Sequence, residues 1–104
     1  MVMTASFLET RSLIKISGAE AESFLQALVS NDVKKAPVYA CLLTPQGRVL
    51  HDFFISRHED GFFVECERQR RDDLIRRLNI FELRAKVTIQ DCHDLCDVYV
   101  ADTL

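Results

Sequence analysis

Asp52 is the first residue that invites a chemical reading. It sits in the stretch Thr44-Pro45-Gln46-Gly47-Arg48-Val49-Leu50-His51-Asp52-Phe53-Phe54-Ile55, a turn feeding a strand. Alternation places Val49, Phe53 and Ile55 on one face with His51, and Leu50 and Phe54 on the other with Asp52. A strand apolar on both faces leaves little room for an unpaired charge, because burying one is expensive. Asp52 is therefore expected to take a donor such as Arg48 or a backbone amide, to line a cavity, or to hold a proton. His51, between Val49 and Phe53 on its face, reads as a packed histidine before it reads as a base.

Cys92-His93-x-x-Cys96 also carries chemistry-bearing side chains. Its spacing is not the two-residue gap common in zinc sites, and no second ligand pair accompanies it, so no metal site is expected. A cysteine nucleophile beside His93 is less expected still, since sequence neighbours rarely converge with a third orienting group. Cys41 and Cys66 fall in strands and read as small core residues, reduced in a cytosol-like compartment. There is no phosphate loop, dinucleotide fingerprint or serine-nucleophile elbow.

The elements that must position these residues are well marked. Ser12 to Ser17 reads as a β-branched first strand ending at Gly18. Ser17 and Glu20 match a capping box, and Ala21, Phe24, Leu25 and Leu28 follow at helical spacing, predicting a helix from Gly18 to Ser30. Val38 to Thr44 is a second strand, joined through Pro45-Gln46-Gly47 to the Asp52 strand as an antiparallel hairpin. After the turn at Glu59-Asp60-Gly61, Phe62 to Cys66 is the fourth strand. A second helix is expected from Gln69 to Asn79, with Asp72 and Asp73 early and Arg76 and Arg77 late, as the helix dipole prefers. Leu83 to Gln90 returns as a strand, and Val98 to Val100 adds another. The order β-α-β-β-β-α-β implies an α+β domain, a mainly antiparallel sheet with two helices on one face.

Length and charge bound the function classes. The chain has 104 residues, 48% apolar and 28% charged, the profile of one globular domain. No apolar run is long enough to span a membrane, and the first residues do not read as a secretory signal. A net charge of −3 argues against general nucleic-acid affinity, DNA included. Seven of the thirteen basic residues nevertheless fall between Arg68 and Lys86. A solvated helix face is the simpler reading; the sharper one is an anion or RNA contact along Arg70, Arg71, Arg76, Arg77 and Arg84.

Several stretches together resemble the YgfZ/GcvT family of folate-binding proteins, in particular its Iba-type iron–sulfur branch. They are Ile16-Ser17-Gly18-Ala19 with Phe24-Leu25-Gln26, Leu28-Val29-Ser30-Asn31-Asp32-Val33, and Leu43 through Asp52. Phe62 to Cys66 and Leu83 to Ile89 continue the resemblance in family order. What it implies is a tetrahydrofolate-binding protein supporting assembly or repair of iron–sulfur clusters and, through its clients, tRNA modification. Asp52 matches an aspartate that, in the related aminomethyltransferases, lies near the folate nitrogen taking up the one-carbon unit. Asn31, Asp32, Thr44 and Arg48 would line the same side.

The family's Lys-Gly-Cys-Tyr/Phe-x-Gly-Gln-Glu signature appears nowhere in these residues. Residues 1–104 are accordingly expected to form a single domain, the N-terminal folate-binding part of a longer multidomain protein. Its partners would be iron–sulfur client or assembly proteins, the remaining domains of the parent chain, or a second copy. The resemblance implies a cytoplasmic protein, or a mitochondrial matrix one in a eukaryote, acting as an assembly factor rather than a turnover enzyme. Two alternatives stay open: part of a folate-dependent aminomethyltransferase with Asp52 as its acid–base group, and a non-catalytic interaction module.

Overall fold

The computed structural model describes residues 10–82 and 85–92. Its elements run β1 (Arg11–Ser17), α1 (Ala21–Leu28), β2 (Val38–Leu43), β3 (Val49–His58), β4 (Gly61–Glu67), α2 (Arg71–Glu82) and β5 (Thr88–Asp91). The strands form one sheet in the order β2-β3-β4-β1-β5, and every pairing is antiparallel. This is the expected α+β architecture in the expected element order. The expected strand Val98–Val100, together with Leu83, Arg84, His93 and Cys96, lies outside the described residues.

One apolar cluster holds the fold. Ile14 and Ile16 of β1, Ala40 and Leu42 of β2, Phe53 and Ile55 of β3, and Phe62 and Val64 of β4 alternate onto one face of the sheet. Phe24 and Leu25 of α1 and Leu74 and Leu78 of α2 pack on the same side. Both helices therefore cover one face, as their apolar spacing requires. Cys66 belongs to this cluster, and burial pushes its thiol up to about 11.

Several boundaries depart from the sequence expectation, and the starts of α1 and β5 do so for one connected reason. Ser17 is not a helix cap: it is still in the ladder, paired with Gly61 on one side and Thr88 on the other. Gly18 then turns with φ +116, and α1 starts only at Ala21, with no side-chain cap. Glu20, the expected capping partner, uses its carboxylate on the Lys86 amide at 3.1 Å, while its own amide donates to the Lys86 carbonyl at 3.3 Å. Lys86 is thus engaged with α1, and β5 begins two residues later, at Thr88, rather than at Leu83. At the other end of α1, Val29 has already left the helix to bridge Leu42. α2 begins after a short 3-10 turn at Arg68–Arg70 and runs on through Phe81 to Glu82, three residues past the expected end at Asn79.

The hairpin that carries Asp52 forms as expected. Thr44 belongs to the turn rather than to β2: its amide donates to the Arg48 carbonyl at 2.8 Å, and the Gly47 amide donates back to Thr44 at 2.9 Å. The register slips between Leu42 and Leu43, leaving Leu50 without a partner on β2. Such a bulge bends the strand and re-aims the extra side chain.

Candidate functional site

The face of β3 that carries Asp52 is open. His51, Phe53 and Ile55 are buried under the helices, whereas Asp52 and Phe54 are exposed and Leu50 is half-buried. The expectation of a strand covered on both sides is therefore corrected, and with it the expectation of a buried carboxylate. Helices cover one side of the sheet, and nothing among the described residues stacks over the outer side of the β2–β3 hairpin.

Asp52 does take a donor, and it is neither Arg48 nor a backbone amide. The Tyr39 hydroxyl donates to Asp52 Oδ2 at 2.5 Å. Tyr39 lies on β2 directly opposite Phe54, while Cys41 lies directly opposite Asp52. Tyr39 and Asp52 are thus diagonal neighbours on one face, within reach of a long side chain. Donation to the carboxylate, helped by some desolvation, makes the phenol hard to ionise and pushes it up to about 12. The second carboxylate oxygen makes no hydrogen bond to any described residue. It is available to an N–H donor from outside, beside the ring surfaces of Tyr39 and Phe54. Cys41, expected in the core, is half-buried on this outer face.

The other candidates divide between two places. Asn31 and Asp32 sit at the β2 edge. The Asn31 side-chain amide donates to the Tyr39 carbonyl at 2.9 Å, and its oxygen accepts from the Asp32 amide at 2.7 Å. The Asp32 carboxylate accepts from the Lys34 amide at 3.0 Å and caps the 3-10 turn Val33–Lys35. Thr44 and Arg48 stand at the far end of the hairpin, about 13 Å along β3 from Asp52 at the usual strand rise. The Thr44 hydroxyl accepts from the Arg48 amide at 3.0 Å. Thr44 and Arg48 therefore stand apart from Asp52, Asn31 approaches it through the Tyr39 backbone, and Tyr39 is the partner of Asp52 that sequence reasoning missed.

Behind Asp52, His51 reads as expected, a packed histidine. It is 3% exposed, and its Nε2 lies 2.7 Å from Asp73 Oδ2 in the first turn of α2. Arg70 approaches Nδ1 at 3.4 Å and donates to the Leu50 carbonyl at 2.6 Å. This pattern fits the tautomer with its proton on Nε2. Arg77 and Arg76 also donate to Asp73, at 2.8 and 2.6 Å. With His51, these donors hold the Asp73 carboxyl well below the usual carboxylate range.

The arginine row is largely committed inside the molecule. Arg71 reaches Ser12, Asp72 and Asp91, while Arg76 and Arg77 share Asp73. The row does not present the free cation stripe that an RNA contact would use, and Arg84 lies outside the described residues. Of the Cys92-His93-x-x-Cys96 stretch, Cys92 is buried and its amide donates to the Leu13 carbonyl at 2.9 Å.

Comparison with known proteins bears on what this hairpin belongs to. No protein-family model matches the chain. Among curated proteins it is 36% identical over 96 residues to the mitochondrial iron–sulfur cluster assembly factor IBA57 homologue of Pyricularia oryzae, covering 84% of this chain and 25% of that protein. The human mitochondrial IBA57 is 30% identical over 100 residues, 80% of this chain and 28% of that one. The chain belongs to the Iba-type branch of the YgfZ/GcvT family. This Iba-type chain spans about a quarter of the length of the curated relatives it matches. Its fold is also that of part of a glycine cleavage system aminomethyltransferase from Bartonella henselae. There the TM-score is 0.68 at 18% identity, over 76% of this chain and 23% of the other.

Proposed function

We propose that this chain supplies one wall of a tetrahydrofolate site in a protein that supports iron–sulfur cluster assembly. The observation that carries the reading is the Tyr39–Asp52 pair on an uncovered sheet face of an Iba-type chain. The residues fit such a ligand on this side. Asp52 has one oxygen held by Tyr39 and one unused, and a carboxylate so oriented accepts a pterin N–H or amine well. Tyr39 and Phe54 offer the apolar and aromatic surface on which a flat ring rests.

Tetrahydrofolate, when bound, would supply amine nitrogens able to carry a one-carbon unit. Asp52 would orient that amine or hold its proton, and Tyr39 would keep the carboxylate in place. Asn31 and the Thr44–Arg48 turn act at one remove, by fixing the β2 edge and the hairpin. The process served would be maturation of iron–sulfur enzymes, tRNA-modifying ones among them, with those clients or other assembly proteins as partners. The curated relatives are mitochondrial proteins, which supports the mitochondrial matrix as the place of action in a eukaryote; in a bacterium it would be the cytoplasm.

Calorimetric titration of tetrahydrofolate into the chain tests the reading. Saturable binding is expected, weakened about tenfold or more by Asp52→Asn, because a hydrogen bond to a charged group contributes on the order of 2 kcal/mol. Absence of saturable binding to the wild type would sink the proposal, and equal binding by both proteins would remove Asp52 from it.

A further inference from the structure

The exposed large apolar side chains of the described residues gather on two neighbouring elements. Tyr39, Leu43, Val49 and Phe54 lie on the β2–β3 hairpin, and Ile80 and Phe81, 58% and 50% exposed, on the last turn of α2. Between the hairpin turn and that helix end runs a groove of 280 Å³, lined by Leu43, Pro45, Leu50, Ile80, Phe81 and Arg77 among others. Two consecutive large apolar residues left half in water, over a groove rather than a core, mark a contact surface.

The charges around it point to its occupant. Arg77 lines the groove, Arg76 shares Asp73 with it, and Arg70 is bonded to the Leu50 carbonyl. Arg48 follows the turn and forms no ion pair among the described residues. One carboxylate, Asp73, takes up both Arg76 and Arg77, and Arg48 and Arg70 pair with no carboxylate among the described residues, although the chain as a whole carries −3. A second copy docking face to face would set arginines against arginines. We propose that this groove docks a partner protein through an amphipathic helix whose apolar side chains are flanked by carboxylates. Such a helix seats its apolar face between Ile80, Phe81 and the turn, and its acids meet Arg48 and Arg76 at the rim. The inference concerns the groove and is independent of the folate reading.

NMR titration of the isotope-labelled chain with a synthetic helical peptide tests it. The peptide carries leucine and phenylalanine on one face and glutamate on its flanks; a twin carries lysine instead. The glutamate peptide is expected to shift amides of residues 43–50 and 76–82 saturably, and the lysine twin to leave them unmoved. Phe81→Ser, and separately the pair Arg48→Glu with Arg76→Glu, should each weaken binding about tenfold, and all three positions are exposed enough for the fold to persist. Equal binding of the twins, shifts scattered elsewhere, or variants that bind like wild type overturn the proposal. So does a concentration-dependent dimer that Phe81→Ser abolishes, which assigns the groove to a second copy. Displacement of the peptide by single-stranded RNA would assign the surface to nucleic acid and overturn it too.

Discussion

The Tyr39 hydroxyl and the Asp52 carboxylate, on neighbouring strands, meet 2.5 Å apart on the face of the sheet opposite α1 and α2. The contact fixes one carboxylate oxygen and leaves the other outward. It also ties the reactivity of each group to the other, because a phenol that donates to a carboxylate resists losing its proton.

That coupling is directly measurable. Tyr39 should ionise near pH 12, and Asp52→Asn should bring it back toward the ordinary value of about 10. Phenolate absorbance in a Tyr99→Phe background reads this, since the chain has two tyrosines. The sign for stability follows from a raised folded-state value. The Tyr39 contribution is fully present below about pH 10 and lost as pH climbs through 12. An unshifted Tyr39 would contradict the hydrogen bond.

Asp73 behaves in the opposite sense. Its three donors depress its folded value, so the unfolded chain binds protons more readily on acidification. The stability it contributes is present above the ordinary carboxylate value of about 4 and lost as pH falls through and below it. Urea unfolding should therefore show Asp73→Asn weaker than wild type near neutrality, the two converging in acid. Asp73→Ala should cost more than Asp73→Asn, because it also strands the buried His51 without an acceptor. Parallel pH curves for wild type and Asp73→Asn would contradict this account.

The hairpin was legible because Pro45 and Gly47 carry turn chemistry within a few residues of where it acts. The Tyr39–Asp52 contact was legible in principle, since that hairpin brings the two strands together with both side chains on one face. Arg48 is nearer in sequence, and only the register of the hairpin brings Tyr39, 13 positions away, diagonally across from Asp52. The start of α1 was not legible. Glu20 matches a capping box locally, yet its partner is Lys86, 66 positions away, and only tertiary packing decides between them. The exposure of Asp52 was hidden for a related reason. An apolar pattern on both faces of β3 says that both suit burial, not that this stretch of chain supplies both covers.

Two glycines separate crowding from backbone conformation. A Cβ on Gly61 would stand 2.1 Å from the Ile16 carbonyl oxygen and 2.7 Å from Ser17 Cα, backbone atoms that cannot swing aside. Gly61→Ala should thus part the ends of β1 and β4 and destabilise by about 2–4 kcal/mol. Gly47, at φ +87, has nothing within 4 Å of such a Cβ. Gly47→Ala should cost only the left-handed backbone penalty, about 1 kcal/mol. Chemical denaturation of both variants ranks them, and a harmless Gly61→Ala would mean β1 and β4 approach less closely than described.

Asn31 offers a test that separates holding an edge from touching a ligand. β2 is an edge strand of the described sheet, and an open edge invites pairing with another chain. Residues 29–31 occupy it. Val29 bridges Leu42, Ser30 bonds Cys41 through both its amide and its hydroxyl, and Asn31 donates to the Tyr39 carbonyl. Asn31→Ala removes the last of these, so a loss of about 1 kcal/mol and faster aggregation on warming are expected. Because Asn31 already uses both ends of its amide internally, tetrahydrofolate affinity should hold within about twofold, unlike the effect of Asp52→Asn. A variant that keeps its stability but loses folate would place Asn31 against the ligand instead.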